Sequence, residues 1–276
     1  MKVLVLISTI DDRIKAVPKV LLPEENGVGY VIVWQKTDDG HCTMDDVRWM
    51  MERGDVRVIE MEGKGLCRSR NRAVTAALES LSDSLEDAVF VIADDDEQLM
   101  PEAFQRIRRA YEQDPKLDSA LFRLRSSSDG TYFKDYPEKV VVYGFHPRSY
   151  YPCSWEMTFR SRVWQTGLRF DERFGLGAEF LCAGEEDVLL TDMQCKGFCI
   201  KIIPEDIGYT EPITTGSRQL DDCVLRSKGA VYGYRLSLAA AFFRSLREAC
   251  SLAVKNGVGP LQLFRHIWSG VRYIRS

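Results

Sequence analysis

The stretch Ala88–Leu99, AVFVIADDDEQL, constrains this chain most. An apolar run, Ala88 to Ala93, meets three acids at once, Asp94, Asp95 and Asp96. A run this short, rich in β-branched and aromatic residues, predicts a buried strand in a parallel sheet. Three adjacent carboxylates repel one another when all are ionised and unshielded, so a cation belongs beside them. A hard divalent ion with oxygen ligands is the natural candidate. Open α/β sheets bind ligands beyond the carboxyl ends of their strands, which is where these acids fall. The alternative is a solvated acidic turn before a helix, with Asp96 or Glu97 near its N-terminus.

The chain has 276 residues, enough for one large α/β domain or two small ones. With 45% hydrophobic and 28% charged residues, disorder is not expected over most of it. A net charge of -4 argues against a general nucleic-acid binder. The eight cysteines contain no C-x-x-C pair, and Cys195 and Cys199 have no His partners nearby. Reduced thiols in a cytoplasmic protein fit this better than zinc or disulfides. The opening MKVLVLISTIDD reads as a first strand and not a signal peptide, because its short apolar run meets Asp11 and Asp12 at once. No stretch is long and apolar enough to cross a membrane.

Strands are predicted over Lys2–Ile7, Gly29–Trp34, Val56–Met61, Ala88–Ala93, Leu117–Arg125, Val140–Tyr143 and Phe198–Ile203. Helices are predicted over Arg13–Leu22, Asp45–Arg53, a segment within Gly63–Ser80, Pro101–Gln113 and Val188–Lys196. Ser8-Thr9 reads as the loop after the first strand. The alternation from Met1 to Gln113 implies a mainly parallel sheet with helices on both faces. In GKGLCRSRNRAVTAALES, Arg68, Arg70, Asn71 and Arg72 crowd the first turns of a helix, whose N-terminus already carries positive partial charge. A bound phosphate would reverse that cost; a solvated basic face is the other reading. Further on, a glycine-rich aromatic loop leads to Glu185, Glu186 and Asp187 at a helix N-terminus. A cap accounts for one of these acids but not three, so one is a candidate catalytic group or ligand. The loop IGYTEPITTGSRQLDD, with Thr210, Glu211, Thr214, Thr215 and Gly216, is a candidate lid.

An anion site, an acid triplet and a separate carboxylate together describe a phosphate-linked leaving group and a general base. With KVLVLIS, GLCRSRN, DDD and FGLGAEF…GEED in this order, the chain resembles the family 2 glycosyltransferases of the GT-A fold over about Met1 to Ile213. The resemblance implies a Rossmann-like α/β architecture and an inverting transfer of a sugar from a nucleotide-sugar donor, a UDP-sugar foremost, to a hydroxyl of a saccharide or lipid-linked acceptor. It implies that Ser8, Thr9 and Asp11 border the nucleotide, and that Arg70 and Asn71 lie against its diphosphate. Asp94 and Asp95 would touch the ribose, and Asp96, with Asp94, would hold Mn²⁺ or Mg²⁺; if Ala93 takes the family's first Asp position, Asp95 becomes the principal partner. Asp187 would be the general base, with Glu186 or Glu185 as the alternative. Trp155 and the loop through Gly177 would border sugar and acceptor. Trp34-Gln35 stands where many relatives end the second strand in Asp, and Thr210-Glu211-Pro212 where many carry a His.

The expected organisation is a GT-A domain over 1–215 and a basic helical extension over 216–276. From Arg226 onward nine Lys and Arg face the single acid Glu248, with Phe242, Phe243, Leu246 and Leu261 among the apolar residues. That pattern suits an anionic membrane surface or a partner; packing on the main domain with a solvated basic side is the alternative. The implied role is surface-polysaccharide or other glycan synthesis, cytoplasmic or at the inner face of the membrane. Two competing functions are weaker. A sugar-1-phosphate nucleotidyltransferase would need a glycine-rich basic loop after the first strand, where Ser8 to Asp12 stands. A non-catalytic sugar- or nucleotide-binding module would have no need of both acid groups.

Overall fold

The computed structural model describes residues 1–81, 87–147, 149–211 and 220–276. The chain divides into two units. Met1–Lys64, Arg68–Arg169 and Met193–Pro212 form the first, and Gly65–Cys67, Phe170–Asp192 and Ile213–Ser276 the second.

The first unit is built on a nine-stranded sheet. Its strands are β1 (Lys2–Ile10), β2 (Val28–Lys36), β3 (Val56–Glu62), β4 (Ala88–Asp94), β5 (Gln98–Leu99), β6 (Ser119–Ser126), β7 (Val141–Val142), β8 (Met157–Arg160) and β9 (Ile200–Thr210). The spatial order is β3-β2-β1-β4-β8-β6-β9-β5, with β7 also on β9. The first four strands are parallel, as the alternating pattern implied. Beyond β4 the sheet is mixed: β8 is antiparallel to both β4 and β6, and β9 runs parallel to β6.

The two-residue period of a strand decides what each face holds. Val3, Val5 and Ile7 of β1 join Val89, Val91 and Ala93 of β4 in one core. That core also takes Ile14 and Val17 from a 3-10 helix (Asp11–Lys19) and Phe104, Ile107 and Tyr111 from a helix, Ala103–Gln113. The intervening Leu4, Leu6, Phe90 and Ile92 are buried as well. Their side faces the helix Leu66–Glu79, because Ser69 on that helix donates to Ser8 on β1. Both faces are covered, so the central strands read as continuous apolar runs. In chain order the helices are α1 (Met44–Met51), α2 (Leu66–Glu79), α3 (Ala103–Gln113), α4 (Ser161–Gln165), α5 (Glu185–Cys195), α6 (Asp222–Arg235), α7 (Leu238–Asn256) and α8 (Pro260–Arg275).

Two expectations are corrected, and one stretch gains elements that were not predicted. Ser8 and Thr9 are not loop residues: they continue β1 at 5% and 2% exposure, with both hydroxyls hydrogen-bonded. Bonded polar groups do not oppose a buried strand. YYPCSWEMTFR, over which no strand is predicted, contains a 3-10 turn (Ser154–Glu156) and β8, whose Met157 and Phe159 are fully buried. Its mixture of polar and aromatic residues hides the two-residue period. β9 does not stop before Pro204 but runs to Thr210. The register against β6 shifts between Leu121↔Ile202 and Arg123↔Asp206, and this irregularity accommodates the proline. Ile207–Thr210 are therefore strand, not lid; Thr214, Thr215 and Gly216 lie outside the described residues.

In the second unit, Asp221 caps α6 by accepting from the Cys223 and Val224 amides, and Ser237 caps α7 at Ala240. Gly257, at φ +68°, ends α7, and Pro260 opens α8. Leu225, Ala249, Leu252 and Ile267 form one apolar cluster of this unit; Phe174, Leu181, Val188, Ala230 and Val231 form another.

Candidate functional site

The parallel pairing of β1 with β4 sets Ser8 beside Asp94. The strand period then sends neighbouring acids to opposite sides. Asp94, the last residue of β4, meets the Arg70 guanidinium of α2 at 3.1 Å. Arg70 is only 1% exposed, and its Nη2 also donates to Ser154 Oγ at 2.7 Å. Asp95 turns to the other side. Thr9 Oγ1 donates to its Oδ2 at 2.7 Å, and Arg13 Nε lies 2.9 and 3.0 Å from its two oxygens. Arg13 Nη2 pairs with Asp95 as well and reaches Asp96 Oδ2 at 3.1 Å. Each acid of the triplet thus has an arginine beside it.

Burial pushes the Asp95 carboxyl above its usual range, against the downward pull of Arg13 and Thr9. Glu97 goes further. It is 1% exposed, and burial, with the charges of Asp94 and Asp96, pushes it well above the usual carboxylate range. Its Oε1 is buried and finds no hydrogen-bond partner among the described residues.

Asp11 takes the left-handed conformation at φ +46°. Its carboxylate accepts the Thr37 amide at 2.7 Å and the Thr37 hydroxyl at 2.8 Å, and its carbonyl accepts Trp34 Nε1 at 2.9 Å. Asp12 accepts the His41 and Cys42 amides, which hold its carboxyl down at about 2. The turn after β1 is thus fastened by three consecutive side chains. Asn71 follows Arg70 on α2 and is half-buried. Trp155 packs on the central core, edge-on to Phe133, with its indole N–H buried and without a hydrogen-bond partner among the described residues.

The second acid group belongs to the other unit. Glu185, Glu186 and Asp187 form the first turn of α5, three residues earlier than the predicted start. A helix N-terminus favours their charge. Asp187 Oδ1 accepts Arg235 Nη1 of α6 at 2.8 Å, and Glu185 is 5% exposed. Gly175 and Gly177 of the preceding loop both have positive φ, +88° and +85°. A Cβ at Gly175 would stand 3.1 Å from Cys67 Sγ and 3.4 Å from the Glu185 carboxyl carbon.

A divalent cation fits the donor chemistry at the end of β4. Asp96 is a hard oxygen donor, 46% exposed, and Asp94 two residues before it is 23% exposed. Among the described residues no three His, Cys, Asp or Glu converge into a metal cage. Mg²⁺-like ions commonly bind through one or two carboxylates plus phosphate oxygens, which is the mode this donor set suits.

No protein-family model matches the sequence, and no curated protein matches it. Solved structures do. Residues 1–349 of S. aureus TarS match with a TM-score of 0.58 at 15% identity, over 99% of this chain and 83% of that one. The same fragment in complex with UDP matches at 0.59 and 15%, with the same coverage. In complex with UDP-GlcNAc it matches at 0.58 and 13%, over 93% of this chain and 75% of that one. TarS is a GT-A glycosyltransferase.

The chain has the GT-A glycosyltransferase fold.

On this GT-A fold, Ser8, Thr9, Arg70, Asp94 and Asp95 come together at the carboxyl ends of β1 and β4, linked by the hydrogen bonds given above. Asp11 is joined instead to Thr37. Trp155 is largely spent on core packing. Sequence reasoning missed Arg13, Ser154, Glu97 and Arg235. The demand for a cation beside the triplet was legible; that Arg13 meets it was not, because nothing in the sequence aims a side chain from the turn after β1 at residues more than eighty positions away.

Proposed function

We propose that the chain is an inverting glycosyltransferase that moves a sugar from a nucleotide-sugar donor, with UDP-sugars as the first class to test, to a hydroxyl acceptor. The observation that carries this reading is the joining of Thr9 to Asp95 and Arg70 to Asp94 at the ends of two adjacent parallel strands. That is the place where open α/β sheets bind nucleotides. The binding of UDP and UDP-GlcNAc by TarS, which has the same fold, supports the choice of donor.

In this reading Arg70 holds Asp94 and adds positive potential where the diphosphate's charge grows. Thr9 and Arg13 fix Asp95 toward the ribose. Asp96, with Asp94, would hold Mn²⁺ or Mg²⁺, which when bound neutralises the leaving diphosphate. Asp187 is the general base and takes the acceptor proton as the hydroxyl oxygen attacks the anomeric carbon from the face opposite the diphosphate. Back-side attack inverts that centre. Arg235 orients the Asp187 carboxylate; Glu186 is the neighbouring acid that could share the task.

Thermal stability against a panel of nucleoside diphosphates, each with and without Mn²⁺, tests the donor class. A ligand at a hundred times its Kd stabilises the native state by about 2.7 kcal/mol. A rise with UDP that disappears in Asp94→Ala supports the reading, and no rise with any nucleotide in folded protein sinks it. Asp187→Asn tests the chemistry. Loss of a general base lowers kcat by roughly 10²–10⁴-fold, and donor KM should hardly move. Unaltered kcat would remove Asp187 from the role.

The reading extends to the cytoplasmic face of a membrane as the place of work. No helix among the described residues is long and apolar enough to cross one. Phe243, Leu246 and Leu261 are nevertheless exposed on α7 and α8, beside exposed Arg247 and Arg265.

A further inference from the structure

Arg13 is the nearest positive charge to Asp95 and Asp96 that the described residues show, and its two attachments are unequal. Nε and Nη2 both engage Asp95, which is 2% exposed and also takes the Thr9 hydroxyl. Nη2 gives Asp96 one hydrogen bond of 3.1 Å, between side chains 57% and 46% exposed. The first attachment is a fork onto a buried carboxylate that Thr9 also holds, geometrically fixed although the guanidinium itself is half exposed. The second is solvent-screened and weak. The Asp96 end can therefore open while the Asp95 end holds.

We propose that Arg13 is a resident counter-cation that competes with a divalent metal ion for Asp96, so that metal alone binds poorly and enters together with the diphosphate of a nucleotide. The inference rests on Asp96 as the metal ligand of the proposed transferase. Two facts support it. The guanidinium already occupies an Asp96 oxygen that an incoming ion would need. Held by Asp95, it also stays close enough to repel a dication. A diphosphate changes the balance, because its charge attracts both cations and its oxygens complete the ion's coordination. Arg13 acts here as a positioning residue: it couples two binding events and touches no reacting atom.

The test is direct Mn²⁺ binding, read by loss of the free-ion electron paramagnetic resonance signal, without donor or turnover. Arg13→Gln should bind Mn²⁺ about tenfold more tightly than the unaltered protein. Arg13→Lys, which keeps the charge without the fork, should gain less, and it serves if the Gln variant does not fold. Adding UDP should tighten Mn²⁺ binding in the unaltered protein and do so much less in Arg13→Gln. Asp96→Asn combined with Arg13→Gln should abolish the gain. Equal or weaker Mn²⁺ binding in the folded Arg13 variants overturns the proposal, as does a gain that survives Asp96→Asn. An Mn²⁺ gain in a protein that transfers no sugar would refute the transferase reading alone. Sugar transfer with no Mn²⁺ gain would refute only the role of Arg13.

Discussion

Glu97 is a buried carboxyl with an oxygen that no described residue satisfies. A buried oxygen without a partner carries a penalty of about 1–3 kcal/mol, and the neighbouring Asp94 and Asp96 add repulsion. Its folded pKa is raised above the ordinary 4.5, so the folded state holds the proton more tightly than the unfolded chain does. Stability is therefore greatest below the ordinary value and falls as pH climbs from there toward the raised one. Glu97→Gln removes the titration and places an amide donor next to two acids. The variant should melt a few degrees higher at pH 8, and the gain should shrink toward zero near pH 4. A melting difference independent of pH would show that Glu97 is not the source. At this scale the sequence was informative about identities and silent about directions. It marked Asp94, Asp95 and Asp96 as a group in need of a cation. It gave no sign that Asp94 turns to Arg70 and Asp95 to Arg13, since that division follows from where β4 ends.

Among the elements, two contacts carry predictions. On α6 and α8 the backbones meet at glycines: a Cβ on Gly229 would lie 1.7 Å from the Ile267 carbonyl oxygen, and one on Gly270 1.8 Å from the Arg226 carbonyl oxygen. Alanine in a helix interior normally gains about 1 kcal/mol over glycine. Here it must push two helices apart, and overpacking costs about 1–3 kcal/mol or more. Gly229→Ala should therefore be destabilising, with early proteolysis of the C-terminal helices; a stabilised variant would contradict the close crossing. The other contact lies before β8. Lys134 and Glu156 form a buried ion pair at 2.5 Å, with the Tyr136 and Tyr150 hydroxyls on the same carboxylate. Breaking a buried pair costs about 3–5 kcal/mol. Lys134→Met should lose that much in urea unfolding, and Lys134→Met with Glu156→Gln should recover most of it. A single variant as stable as the unaltered protein would show that the pair carries no such energy. Neither contact was legible in advance. The helices around Gly229 and Gly270 were expected from their pattern, but which faces meet is a tertiary fact. Tyr136, Tyr150 and Glu156 lie in stretches that mix polar and aromatic residues without a period to aim them at one another. The parallel strands were legible because burial on both faces leaves an unbroken apolar run.

For the whole molecule, the distribution of charge matters more than its sum. The chain carries -4, yet nine Lys and Arg stand against one Glu between Arg226 and Ser276, so the remainder is markedly acidic. An anionic membrane would repel most of this chain and attract only that segment. Much of the segment's charge is used internally: Lys228 pairs with Glu248, Arg235 with Asp187, and Arg275 donates to the Gly233 carbonyl. Arg247, Arg265 and Arg272 stay exposed. Helical spacing puts Arg247 on one stripe of α7 with Phe243 and Val254, and Arg265 on one stripe of α8 with Leu261 and Trp268. Each stripe thus mixes a cation with apolar side chains, the composition of an interfacial helix. The two contributions separate under salt, since screening weakens the charges but not the burial of Phe243 and Leu261. The protein should float with anionic vesicles at low salt and much less at 0.5 M, and hardly at all with neutral vesicles. Arg247→Glu with Arg265→Glu should abolish flotation at low salt, where the charges are unscreened, while leaving the melting temperature unchanged. If the charge-reversed protein floats as well as the unaltered one, the basic helices are a solvated surface and the membrane is not their partner.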